Sequence, residues 1–112
     1  MPKDDLVYVG HMLDTARQAV GKISGKTRDD FDADENLRLA LTHLIQVIGE
    51  AARMVSKDYS RQYPDVPWNA IVGMRHKVVH DYLNVDEEVV WDTVVNELPV
   101  LISQLEKIMP SN

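Results

Sequence analysis

The sequence predicts an all-α fold, a small helical bundle. Apolar residues recur at spacings of three and four along most of the chain, and no alternating apolar–polar run persists long enough to make a strand. Size adds a limit, because 112 residues supply one hydrophobic core but not two.

A first helix is expected over about residues 4–22, where Leu6, Val9, Leu13, Ala16 and Val20 form an apolar line. Gly21, Gly25 and the polar stretch 26–30 end it in a loop. Asp32 or Asp34 can cap a long second helix over about 34–57, with Glu35 near its positive end. Leu37, Leu41, Leu44, Ile48, Ala51 or Ala52, and Val55 give that helix a heptad-like seam. Ala40, Ile45 and Val47 widen the seam beyond what one neighbour would cover, and Gly49, Ala51 and Ala52 allow close approach. Two contact faces fit either a homodimer or a central helix buried on both sides within one chain.

The segment Tyr63-Pro64-Asp65-Val66-Pro67 is a rigid break, and Pro67 suits the start of a third helix. That helix carries Trp68, Ile71, Val72, Met74, Val78 and Val79 and is expected to end near Tyr82. After a turn at Leu83-Asn84-Val85, the acidic Asp86, Glu87 and Glu88 open a fourth helix. Its apolar line is Val89, Val90, Val94, Leu98, Leu101, Ile102, Leu105 and Ile108, with a kink expected near Pro99.

The absence of cysteine excludes disulfides and thiolate metal sites and fits a reducing cytoplasm. No run approaches a membrane span, and Met1-Pro2-Lys3-Asp4-Asp5 does not read as a signal peptide, so a soluble cytoplasmic protein is expected. A net charge of −6 argues against a general nucleic-acid coat protein. The acidity is local: from residue 78 onward only Lys107 opposes Asp81, Asp86, Glu87, Glu88, Asp92, Glu97 and Glu106. Such a face can meet a partner's basic surface or can simply be solvated, the commoner case.

Chemistry concentrates in Gly73-Met74-Arg75-His76-Lys77-Val78-Val79-His80-Asp81-Tyr82. Arginine offers a planar fork of donors matched to phosphate oxygens. Histidine takes and gives protons near neutral pH. Arg75 and His80 can therefore be a phosphodiester-cleaving pair, or the two can decorate a solvated helix end. On an ideal helix Arg75 and Tyr82 differ by only about 20° and share a face, whereas His80 lies about 140° from Arg75. One straight helix would not aim both at one phosphate. Either the helix end loosens before Asn84, or a symmetry-related copy completes the site.

His76 and His80 are four apart, the spacing of a helical metal pair, with Asp81, His43 or His11 as conceivable third ligands. No glutamate follows His76 as the metalloprotease helix motif requires, and no metal or cofactor is expected. His11 and His43 read as structural. Trp68 and Trp91 read as core or interface anchors. Glu50, set in an apolar stretch, needs a partner, and Arg53 or Arg75 can provide one. Its expected role is to orient an arginine. No Gly-rich phosphate loop, nucleophile elbow or kinase signature is present.

Four segments in this order and spacing closely resemble the HepT-like toxins of the HEPN superfamily: Ile48-Gly49-Glu50-Ala51-Ala52, Tyr63-Pro64-Asp65-Val66-Pro67-Trp68, Ile71-Val72-Gly73-Met74-Arg75, and Val79-His80-Asp81-Tyr82 with Val85-Asp86. The resemblance runs from about residue 4 to about 109. It implies a single domain spanning 1–112, an antiparallel bundle of four to five helices that forms a homodimer with its motifs facing a shared cleft. It also implies metal-independent endonucleolytic cleavage of RNA, tRNA or mRNA, by the toxin of a bacterial or archaeal toxin–antitoxin pair. The partner it implies is an MNT-type nucleotidyltransferase antitoxin that adenylylates the motif tyrosine. Position by position, Arg75 and His80 match the catalytic pair and Tyr82 the modified residue. Relatives often carry Asn after the motif arginine; His76 stands there instead, where it can supplement RNA binding or change which imidazole acts. The alternative class is a non-catalytic helical dimer that docks onto such a nucleotidyltransferase.

Overall fold

Side-chain oxygens set most of the helix starts. The computed structural model describes residues 3–81 and 84–110, with the side chains of all of these except Lys3, His80 and Asp81. Helix α1 spans Lys3–Lys22. A capping box opens the short α2 (Arg28–Ala33): Thr27 Oγ1 accepts from the Asp30 N–H at 3.2 Å, and the Asp30 carboxylate accepts from the Thr27 N–H at 2.8 Å. Asp34 caps α3 (Glu35–Met54) by accepting from the Leu37 N–H at 3.0 Å. Ser56 caps the short α4 (Lys57–Gln62), and Pro67 immediately precedes α5 (Trp68–Val78).

Asp86 opens α6 (Glu87–Asp92), accepting from the Val89 N–H at 3.2 Å. A π-helical turn, Thr93–Glu97, joins α6 to α7 (Leu98–Ile108). The irregularity expected at Pro99 thus falls just before it. A proline ring clashes with the carbonyl four residues back, here Val95, and a widened turn at that point relieves the conflict.

The predicted third helix is shorter than its periodicity suggested. It stops at Val78, and Val79–Asp81 form strand β1, paired antiparallel with β2 (Asn84–Val85). Val79 faces Val85 and Asp81 faces Asn84, so His80 is the extra residue of a bulge. Val79 and Val85 both pack against the core, and the Asp86 N–H donates to the Val78 carbonyl at 2.7 Å. Val79 and Val85 face each other across the ribbon, and pairing two β-branched side chains against the core favours the extended backbone over a further helical turn.

The body measures 44 × 30 × 19 Å, and the short axis is two helix diameters. The chain is an all-α bundle with one short ribbon among the described residues. Helix α3 is the centre, packed on α1 along one side and on α5 along the other. Its two apolar faces are therefore satisfied within one chain, and they no longer speak for a dimer. Val9, Met12 and Ala16 of α1 meet Leu41, Ile45 and Ile48 of α3 in a core closed by Ile71, Val78, Val90, Val94, Leu98 and Leu105. Phe31 and Tyr59 anchor the two short helices. Phe31 packs on Trp91 with ring centroids 5.2 Å apart, and Tyr59 lies edge-on to Trp68 at 6.2 Å. Among the described residues no helix is long and apolar enough to cross a membrane.

Gly49 sets how closely α3 approaches α5. A Cβ there would stand 3.2 Å from the Ile71 carbonyl oxygen and 3.5 Å from that of Val72. Gly49→Ala is expected to stay within about 1 kcal/mol of wild type, because gained helix propensity offsets the contact. Gly49→Val lacks that offset and adds bulk against backbone; urea unfolding is expected to show a loss of about 2 kcal/mol.

Candidate active site

The packing of α3 on α5 brings Glu50 to Arg75, and one turn of α3 brings Arg53 to the same carboxylate. Arg75 Nη1 donates to Glu50 Oε2 at 3.0 Å. Arg53 donates through Nε at 3.1 Å and Nη2 at 3.0 Å to Glu50 Oε1. Both arginines that the sequence offered as partners are thus engaged. Hydrogen bonding from Arg53, and then the charges of Arg53 and Arg75, hold the Glu50 carboxyl below its ordinary range against some desolvation. A lowered carboxylate pKa contributes stability above its unfolded value and loses it as acid titrates the folded group. Glu50 and Arg75 are each 42% exposed, so water screens most of that contribution. Holding Arg75 in place is the main effect of the contact. Two guanidiniums around one carboxylate leave a local charge of about +1, and Arg75 keeps further donors free in a half-open position.

Arg75 and Glu50 line a groove of about 460 Å³ with Tyr8 and His11 of α1 and His43 and Gln46 of α3. The two histidines read from the sequence as structural are both exposed and both belong to this groove. His43 was traceable: it lies two helical turns before Glu50 and so shares its face. His11 was not, because only the packing of α1 on α3 brings it there.

His76 is exposed on the last turn of α5 and does not line the groove. His80 belongs to β1, beyond the end of α5. This removes two inferences drawn from an unbroken helix. His76 and His80 do not sit one turn apart on one helix, so the metal-pair spacing has no basis here. The angle of about 140° between Arg75 and His80 on an ideal helix likewise cannot support a partner-completed site. Tyr82 lies outside the described residues. No three metal-ligating side chains converge among the described residues.

The acidic last third is partly used inside the chain. Glu106 pairs with Arg17 at 2.6 Å, Glu87 with Arg38 at 3.4 Å, and Asp86 caps α6.

By class this is an all-α bundle with an arginine fork at the edge of an open polar groove, donors of the kind that suit an anion. More particularly, the chain belongs to the HepT-like ribonuclease family, whose model matches residues 12–108. It is 31% identical over 102 residues to a protein named “Putative RNase” from Caldanaerobacter subterraneus subsp. tengcongensis, covering 91% of each chain. Another “Putative RNase”, from Methanocaldococcus jannaschii, is 31% identical over 110 residues, covering 97% of this chain and 91% of the relative. A “Probable ribonuclease HepT” from Thermococcus cleftensis is 33% identical over 100 residues, covering 86% and 91%. No solved structure matches the chain.

Proposed function

We propose that this ribonuclease is the toxin of a toxin–antitoxin pair, a metal-independent RNA endonuclease in which Arg75 and His80 carry the reaction. The observation that carries the reading is the Arg75 fork, fixed by Glu50 at 3.0 Å yet still open to solvent in the groove. His80 takes the proton from a ribose 2′-hydroxyl, and the resulting alkoxide attacks the adjacent phosphorus. The P–O5′ bond breaks as His80 of the partner subunit gives its proton to the departing O5′, leaving a 2′,3′-cyclic phosphate on one fragment and a 5′-hydroxyl on the other. Arg75 stabilises the negative charge that builds on the phosphoryl oxygens. Glu50 positions Arg75, and His76 adds a further contact to RNA.

The protein works as a homodimer. Support comes from large apolar side chains exposed near the groove: Val7 at 64% and Leu39 at 60%, each one turn before a groove histidine, and Met54 at 47% in its wall. A second copy covering them would close the groove into a cleft.

Tyr82 is the residue that an MNT-type nucleotidyltransferase antitoxin adenylylates. The added phosphate would repel RNA and its adenosine would obstruct entry.

The test uses purified protein and RNA in excess EDTA. Wild type is expected to release fragments ending in 2′,3′-cyclic phosphate, and His80→Ala to lose at least about a hundredfold in rate. Undiminished cleavage by His80→Ala would rule out this mechanism. Co-expression with an MNT-type nucleotidyltransferase antitoxin is expected to add one AMP by intact mass, and Tyr82→Phe to abolish that gain. A stable complex with neither modification nor cleavage would favour the non-catalytic binding module.

A further inference from the structure

Four polar side chains in the groove have no task within the chain. Tyr8, His11, His43 and Gln46 make no hydrogen bond, ion pair or ring contact among the described residues, yet they converge from two helices on one concavity. Elsewhere on the surface many polar groups are engaged: Asp92 accepts from Asn96, Gln104 donates to the Asp65 carbonyl, and Arg28 pairs with Asp32. An open groove that keeps two imidazoles, an amide and a phenol uncommitted has hydrogen-bonding capacity directed at something outside the chain.

Distance along α3 separates His43 from the cleavage step. His43 precedes Glu50 by seven residues, about 10 Å along α3 at 1.5 Å per residue. Helical side chains at both positions lean toward the N-terminus, so the offset persists at their tips. A group that moves a proton at the phosphate held by Arg75 must come within about 3 Å of it. That offset along the helix suits His43 to a neighbouring part of the strand better than to the phosphate itself. The chemistry suits a nucleotide. The Tyr8 ring offers a face for stacking a base, the Gln46 amide and the imidazoles can meet base edges or phosphate, and Val47 and Ala51 supply an apolar wall.

From this arrangement we infer that Tyr8, His11, His43 and Gln46 form a nucleotide subsite, holding the residue of single-stranded RNA next to the scissile phosphate and selecting where the strand is cut. The inference rests on the reading of the chain as an RNA endonuclease and adds a substrate-selecting surface to it.

Two measurements test it. Fluorescence anisotropy with a labelled single-stranded oligoribonucleotide uses His80→Ala protein, so binding is read whether or not cleavage follows. Adding His43→Ala, or His11→Ala with Tyr8→Ala, is expected to weaken binding about tenfold, the loss of one or two hydrogen bonds to a charged strand. In the active background the same substitutions are expected to raise KM by a similar factor, leave kcat within about twofold, and shift the cut positions mapped by primer extension. The substituted side chains are half or fully exposed, and circular dichroism checks that the helices persist. An unchanged affinity and cut pattern overturns the subsite while leaving the nuclease intact. A fall in kcat with KM constant also overturns it, as does a change in the dimerisation constant with RNA affinity unchanged, which would assign the groove to a second copy. Wild-type protein that neither binds nor cuts RNA overturns both readings.

Discussion

Arg75→Ala is expected to lower the rate of RNA cleavage by about two to three orders of magnitude, with the fold intact. The guanidinium is half exposed and its one described hydrogen-bond partner, Glu50, remains bonded to Arg53, so its removal buries no orphaned charge. Thermal unfolding should therefore stay close to wild type while single-turnover cleavage collapses. Arg75→Lys is expected to recover only a small part of the rate. A lysine keeps the charge but cannot bond Glu50 and a phosphate with one planar fork. Cleavage by Arg75→Ala within a factor of about three of wild type would remove this arginine from the reaction.

The second large effect concerns stability. Asp5 is 2% exposed, and its carboxylate accepts from the Ser56 N–H and the Ser56 Oγ–H, each at 2.7 Å. These bonds tie the first turn of α1 to the residue that caps α4, and Ser56 Oγ in turn accepts from the Tyr59 N–H at 3.1 Å. Asp5→Ala would leave a backbone donor and a hydroxyl without their acceptor in a partly buried site. Charge-assisted bonds of this kind predict a loss of about 2–4 kcal/mol in urea unfolding. Asp5→Asn retains one acceptor and is expected to lose about half as much. A change below about 0.5 kcal/mol for Asp5→Ala would show that water replaces the carboxylate at no cost.

Periodicity alone located the four longer helical segments, because each carries enough apolar residues to define a face. It passed over α2 and α4, whose six residues bury one anchor apiece, Phe31 and Tyr59. The readable signals there were local ones: Thr27 followed three residues later by Asp30, and Ser56 placed to cap Tyr59. Periodicity also overran the end of α5, since Val79 is apolar in either conformation and only pairing with Val85 decides between them. At the site, Glu50 was recognisable as a carboxylate in need of an arginine. That Arg53 and Arg75 share it, and that His11 joins them across a helix boundary, depends on which faces meet. No linear pattern carries that information.

The shared carboxylate also bears on ionic strength. When RNA occupies the remaining donors of Arg75, Glu50 need not be expelled, because Arg53 retains it. Two cations, one carboxylate and one phosphate then form an electrically balanced set on a protein whose overall charge is −6. Such a site releases about one counterion's worth of salt dependence, a slope near −0.7 in log K against log salt for single strands. At that slope its grip on RNA would fall only about twofold for each threefold rise in salt. Long-range attraction contributes little to the encounter, so recognition falls to the short-range fit of the strand.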